Sequence, residues 1–328
     1  MDNRFLGKDL EVSPIGLGCM GFSHAYGTAT DEGTAVKAIQ QAVEMGYTFF
    51  DTAECYIGEN ADGSISYNEK LVGKALAPYR NKVKIATKCG VKHENRQLLL
   101  DSRPETIKES IDGSLERLGV DHVDLYYQHW IDPNVEPEEV AGVMAELIKE
   151  GKITHWGISE TNEEYLRRAH AVCPVTCIQN RYSMMARWHE SLFPVLEELN
   201  IGYVAFSPLA NGILSDAFAK GDKFDKEDYR SIMPQYSDEA FEQNRELLLL
   251  IRNLATEKNA TPAQVSLAWI LGKKPYIVPI PGSRKTDRIK ENLGAAEIIL
   301  TEDEVGAIDD KLRCMEMSAV FGGSPVKK

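Results

Sequence analysis

Short apolar runs alternate with amphipathic segments along almost the whole chain. The runs predict strands near residues 14–18, 47–51, 83–87, 123–128, 153–158, 175–179, 201–206 and 276–280. Helical spacing of apolar residues predicts helices over 31–45, 66–77, 104–118, 137–150, 162–171, 189–199, 240–258 and 262–272. From Pro104 onward, Ile107, Ile111, Leu115 and Leu118 recur at intervals of four, four and three, which aligns them on one helical face. Pro104 and Pro137 suit first-turn positions, and Glu105 and Glu138-Glu139 follow them at the positive end of each helix dipole.

Eight strands with interleaved helices predict an α/β chain whose parallel sheet closes into a (β/α)8 TIM barrel rather than staying open. Residues 3–13, NRFLGKDLEVS, read as a β-hairpin turned at Gly7-Lys8 that plugs the barrel bottom. The stretch 210–237 is polar and irregular, and is expected to be a mobile loop at the carboxyl face, beside the extra helices. No low-complexity linker or short repeat interrupts the pattern, so residues 1–328 are expected to form a single domain.

Composition narrows the partners. A net charge of −13 and a pI near 5.1 speak against nucleic acid or an anionic membrane, while leaving room for a small anion in a locally basic pocket. The opening residues lack the apolar core of a signal peptide, and Leu247–Ile251 is too short a run to span a bilayer; a cytoplasmic location is expected. The six cysteines, at 19, 55, 89, 173, 177 and 314, form no C-x-x-C pair, so reduced thiols and no metal site are expected.

Candidate chemistry gathers at strand ends. Asp51 closes YTFFD, Lys88 follows VKIAT, His129 follows VDLYYQ, and Tyr56 stands five residues after Asp51. In a closed barrel such positions converge on one mouth. Taken singly, Asp51 suits a turn cap, Tyr56 or His129 a packed core and Lys88 a snorkelling surface chain. Together they supply an acid, a phenol, an ammonium and an imidazole, the set needed to deliver a proton to a carbonyl oxygen.

Gly16, Gly18 and Gly21 spell G-x-G-x-x-G, but no helical periodicity follows, as a dinucleotide-binding Rossmann turn requires. They are read instead as allowing backbone and ligand to approach closely at the first strand end. A stronger phosphate signal comes late. Gly282-Ser283-Arg284 and Arg288 follow the last strand, where Ser283, Thr286 or Asp287 is placed to cap the next helix.

In order and spacing, IGLGCMG, DTAECY, IATK, YYQHW, GISETN, IQNRYS, FSPLANGIL and IPGSRKTDRIKEN resemble the aldo-keto reductases over nearly the whole chain. The resemblance implies a barrel that binds NADPH (NADP+) across its mouth and reduces aldehydes and ketones to alcohols. It implies catalytic roles for Asp51, Tyr56, Lys88 and His129. It implies cofactor contacts from Gly18 and Met20, nicotinamide contacts from Ser159, Asn162, Gln179 and Phe206, and a diphosphate loop with Ser207, Leu209 and Gly212. Gly282, Ser283, Arg284 and Arg288 fall at the 2′-phosphate site, and Glu291 and Asn292 at the adenine. Arg181 departs from the pattern, standing where relatives commonly carry glutamate, and Glu160-Thr161 separate Asn162 from Ser159.

On this reading a phenol proton from Tyr56 meets the charge that hydride transfer leaves on oxygen. Lys88 is expected to lower the Tyr56 pKa below its ordinary value of about 10, with Asp51 neutralising Lys88 and His129 orienting the carbonyl. Tyr26 and Trp130, with His24, Met20, Trp188 and part of 210–237, are expected to line a pocket for apolar or aromatic carbonyl compounds. Two rivals remain at this point. One is an NADPH-binding regulatory barrel that senses redox state; the other is a Schiff-base enzyme built on Lys88.

Overall fold

The protein is described by a computed structural model covering residues 2–94 and 97–321. Eight parallel strands stand side by side in chain order: β1 (Leu17–Gly18), β2 (Phe49–Asp51), β3 (Lys84–Cys89), β4 (Val123–Gln128), β5 (Ile153–Ser159), β6 (Cys177–Arg181), β7 (Gly202–Phe206) and β8 (Ile277–Pro279). The edges then meet. Gly16 N donates to Pro279 O at 3.0 Å and Gly18 N to Pro281 O at 3.3 Å, closing the sheet into the expected (β/α)8 barrel.

Helices α1 (Glu32–Met45), α2 (Asn68–Leu76), α3 (Pro104–Leu118), α4 (Pro137–Glu150), α5 (Glu163–Val172) and α6 (Phe193–Leu199) follow the first six strands. After β7 come α7 (Asp238–Gln243), α8 (Arg245–Glu257) and α9 (Pro262–Lys273); α10 (Thr286–Gly294) and α11 (Glu302–Cys314) follow β8. In α3 the spaced residues behave as expected: Ile107, Ile111 and Leu118 are buried and Leu115 half-buried. Proline at the first turn and left-handed Gly119 and Gly151 just past the ends bound α3 and α4.

Strand alternation decides which side chains see the interior. Phe49, Ala86, Leu125, Tyr127, Cys177, Val204 and Val278 pack inside the barrel, whereas Phe50, Tyr126, Ile178 and Tyr203 pack outward against the helices. The hairpin Arg4–Leu6 with Leu10–Val12 fills the bottom, adding Leu6, Leu10 and Val12 to that interior cluster. Continuing the same alternation upward places Asp51, Lys88, Gln179, Arg181 and Phe206 on the inner face at the carboxyl end.

Gly18 and Gly282 let the barrel close, because a Cβ at Gly18 would lie 2.8 Å from Ile280 O, and one at Gly282 would lie 2.7 Å from Gly18 O. The stretch 210–237 is irregular, as expected, with its two ends packed on the core through Ala210, Ile213, Leu214, Met233 and Tyr236. Phe218, Phe224 and Tyr236 form an edge-on aromatic cluster, and Tyr236 Oη donates to Asn211 O at 2.8 Å. No helix among the described residues is long and apolar enough to cross a membrane.

Candidate active site

Lys88 is completely buried on β3, and its ammonium is held from three sides. Nζ lies 2.5 Å from Asp51 Oδ1 on β2, 2.7 Å from the Thr52 carbonyl oxygen and 3.2 Å from Tyr56 Oη. On the opposite side of Asp51, Oδ2 accepts from Gln179 Nε2 of β6 at 2.8 Å. The His129 ring stands edge-on to Tyr56 at 5.8 Å, and its Nδ1 lies 3.5 Å from Cys55 Sγ. The structure therefore gathers the four strand-end residues at one mouth.

The electrostatics differ from expectation at Tyr56. Burial raises its pKa above the ordinary value, outweighing the opposing charge of Lys88. The reason is that Lys88 is already matched: Asp51 returns negative charge to the same spot, so little net field reaches the phenol. Burial alone would lower Lys88, but the charges and hydrogen bonds of Asp51 and Tyr56 outweigh it, so Lys88 stays an ammonium. Burial likewise raises Asp51, against the pull of Lys88 and Gln179. Tyr56 is thus held in its protonated form at neutral pH.

Around this centre His24 stacks on Tyr56 at 6.0 Å between rings and lies 2.8 Å, through Nδ1, from Ile57 O. Trp130 is 43% exposed, so it borders the opening instead of packing beneath it. Tyr26 accepts from Asn211 Nδ2 at 3.2 Å, which ties the first mouth loop to the stretch after β7. Trp188 packs partly buried against the outer core, beside His189. Cys55 and the Thr52 carbonyl were not foreseen as contacts of His129 and Lys88; adjacency to Tyr56 was the one signal for Cys55.

The chain matches the Aldo/keto reductase family over residues 14–313. It belongs to that family. It is 38% identical over 319 residues to aldo-keto reductase str7 of Strobilurus tenacellus, covering 94% of this chain and 91% of that protein. It is 37% identical over 306 residues to probable aldo-keto reductase 1 of Glycine max, covering 92% and 86% respectively. Among solved structures, the glycerol dehydrogenase of Gluconobacter oxydans superposes with a TM-score of 0.82 at 27% identity, over 98% of both chains. An aldo-keto reductase of Bacillus halodurans, described as the holo form, gives 0.77 at 28% identity over 99% of both. The family's general chemistry is carbonyl reduction.

Within this aldo-keto reductase the expected cofactor positions lie at or just after the ends of β1, β5, β6, β7 and β8. Ser159 Oγ donates to Gln179 O at 2.8 Å, tying β5 to β6. Phe206 is half-buried at the end of β7. The following turn, Ala210–Ser215, is preceded by Leu209 and reached through Ser207 in the left-handed region, with Gly212 at φ 111°. Met20 opens a 3-10 turn, Met20–Phe22, beside β1.

Near α10, Arg284 donates Nε to Gly21 O and Nη1 to Thr28 O, while Nη2 is buried with no partner. Arg288 pairs with Glu291 Oε2, leaving Glu291 Oε1 buried and unpartnered, and Asn292 is buried beside them. One donor atom, Arg284 Nη2, and one acceptor atom, Glu291 Oε1, are thus buried without a partner.

Asn162 caps α5, its Oδ1 accepting from Tyr165 N at 3.0 Å. The expected cap of α10 is corrected. The residue capping α10 is Lys285, without a side-chain bond; Ser283 Oγ instead accepts from Lys285 N at 3.1 Å. Thr286 Oγ1 turns to Gln41, so neither it nor Asp287 acts as the cap. Among the described residues no group of three or more His, Cys, Asp or Glu side chains is placed to hold a metal.

Proposed function

We propose that the chain is a single-domain NADPH-dependent reductase of aldehydes and ketones, with Tyr56 as general acid. The observation that carries this reading is the contact of one buried ammonium, Lys88 Nζ, with both Asp51 and Tyr56 Oη at the barrel mouth. A carbonyl entering beside Trp130 meets Tyr56 Oη and the His129 imidazole. His129 orients the oxygen, and Tyr56 gives it a proton as negative charge develops. The phenolate left behind faces the Lys88 ammonium, whose attraction appears only as that charge forms. Asp51, pinned by Gln179, keeps Lys88 aimed at Tyr56 and keeps the resting site from holding a bare buried cation.

The dinucleotide, when bound, supplies the hydride. Phe206 would offer its ring to the nicotinamide, and Ser159 and Gln179 the polar contacts to its carboxamide. Gly18, Met20, Ser207, Leu209 and Gly212 would border its middle. Gly282, Ser283, Arg284 and Arg288 would hold the 2′-phosphate, with Glu291 and Asn292 at the adenine. Tyr26 and Trp130 would flank the substrate.

The test is consumption of NADPH and NADH, in parallel, with 4-nitrobenzaldehyde and a panel of ketones. Turnover with NADPH, faster than with NADH, is expected. Tight NADPH binding without turnover across the panel would replace the enzyme reading by a regulatory one. Borohydride trapping of a carbonyl compound on Lys88 would replace it by Schiff-base chemistry.

A further inference from the structure

Arg181 ends β6 two residues after Gln179, so alternation turns it toward the mouth. It is only 8% exposed, and its Nε and Nη1 meet no acceptor. A buried guanidinium with idle donors is costly and persists only where something compensates it. The nearby acid does so only in part, through its charge. Glu160 spends Oε1 on the Arg181 backbone N–H at 3.0 Å, and burial raises its pKa toward the neutral form. Phe206 gives the guanidinium partial cover, with Cζ 4.8 Å from the ring centroid, but accepts no conventional hydrogen bond.

The surroundings add cation. Tyr26 lies within electrostatic reach of Arg181 and Arg230, and Arg284 within reach of Arg230 and Tyr26. Arg230 is engaged by Asp228, whereas Arg284 Nη2 is idle. Three guanidiniums thus gather near two carboxylates, Asp228 and Glu160, in a chain whose net charge is −13. The concentration sits at the start of the loop after β7, where Ser207, Ala210, Asn211 and Gly212 all have positive φ. Within that turn Ala210 N and Gly212 N are spent on Ser207 O and Leu209 O, so the positive charge of the arginines is what favours an anion here.

We propose that Arg181 is an anchor for the diphosphate of the bound dinucleotide, donating its idle Nε–H and Nη1–H to phosphate oxygens. This rests on the cofactor reading above and adds to it a buried residue which that reading leaves without a role. Phosphate is favoured over a substrate carboxylate by position. Arg181 pairs in register with Phe206 of β7, which leads directly into Ser207 and the turn proposed to border the diphosphate. Tyr26, placed at the substrate, is also within its electrostatic reach, so a substrate carboxylate is an outcome the test must separate.

The experiment is equilibrium binding and thermal melting of the full chain, as wild type, Arg181→Met and Arg181→Lys. The ligands are NADPH, ADP-ribose (a diphosphate without nicotinamide) and adenosine 2′-monophosphate. Arg181→Met is expected to weaken NADPH and ADP-ribose roughly ten- to a hundredfold, the loss of charge-assisted hydrogen bonds. Adenosine 2′-monophosphate should change less than about twofold, and Arg181→Lys should fall between. Ligand-free Arg181→Met should melt at or above wild type, because an uncompensated buried charge is gone.

Unchanged ADP-ribose affinity in Arg181→Met overturns the proposal. So does a raised KM for 4-carboxybenzaldehyde without any change in ADP-ribose affinity, which would assign Arg181 to the substrate. A wild type that binds neither NADPH nor ADP-ribose overturns the cofactor reading and the proposal together.

Discussion

Gln179 reaches across the barrel from β6 to donate to Asp51 Oδ2 on β2 at 2.8 Å, while Lys88 holds Oδ1 of the same carboxylate. Asp51 is 3% exposed and Lys88 fully buried, so neither charge has water to fall back on. Replacing Asp51 by Asn leaves Lys88 as an uncompensated cation and is expected to cost about 3–5 kcal/mol of stability. The double variant Asp51→Asn with Lys88→Met should recover part of that loss. Urea unfolding of the three proteins checks it; equal stability of the single variant and wild type would show that the pair is not what holds this charge.

Tyr56→Phe keeps the ring and removes the proton. Reductase turnover is expected to fall roughly a hundred- to ten-thousandfold, the usual worth of a positioned acid, with NADPH affinity within about twofold. Because burial holds the phenol above its ordinary range, the acid form persists through neutral pH. The reduction rate should therefore stay level up to roughly the free tyrosine value of about 10. A decline between pH 7 and 8 that disappears in Tyr56→Phe would contradict that assignment.

Much of this was legible in the sequence because it follows local rules. Helices α3 and α4 begin and end where proline and glycine say they should, and the alternating strands announce which residues face inward. Two hairpins escaped notice: Ile57–Glu59 with Ile65–Tyr67, and Val91–Glu94 with Gln97–Leu100. In the first, Ile57 and Ile65 are exposed, so the short strands show no buried stripe. Helix α11 was also passed over, although Thr301 and Glu304 form a capping box that marks its start. The balance at Tyr56 could not be read locally, since it depends on how deeply the phenol is buried and on Asp51 already matching Lys88.

Arg284 and Arg288 bear on cofactor choice. Arg284 has an idle buried Nη2 and Arg288 lies on the first exposed turn of α10. Replacing both by Ala should weaken NADPH roughly tenfold or more, consistent with losing charge-assisted bonds to a phosphate. NADH, which lacks the 2′-phosphate, should change far less. Fluorescence titration of both cofactors decides it; equal weakening would remove the 2′-phosphate role from these arginines.

His189 makes folding sensitive to acid. Burial, aided by the charge of Arg181, lowers its pKa to about 4, so the 3.9 Å approach to Glu160 involves a neutral ring at pH 7. A folded-state pKa below the unfolded value of about 6.5 means that stability is full above that value. It is then lost as pH falls toward 4, by up to about 3 kcal/mol for this one group. Glu160, whose pKa is raised by burial, works in the opposite sense, so the raw slope mixes the two. Comparing urea unfolding of wild type and His189→Gln at pH 7.5 and 5 isolates the histidine. The wild type should lose more stability on acidification than the variant; parallel losses would show that His189 does not titrate in this way.

Closure of the barrel rests on two glycines that leave no room for a side chain. A methyl at Gly18 would stand 2.8 Å from Ile280 O, and one at Gly282 would stand 2.7 Å from Gly18 O. Both obstacles are backbone atoms, so relief requires β1 and the segment after β8 to move apart and stretch the Gly18 N to Pro281 O bond. Gly18→Ala is expected to cost about 1–3 kcal/mol, the usual range for overpacking. The cost should show as faster hydrogen exchange at the Gly16 and residue-18 amides, while Gly33→Ala on exposed α1 serves as the tolerant control. If Gly18→Ala matches wild type in both stability and exchange at this seam, the first and last strands are not held together by this close approach.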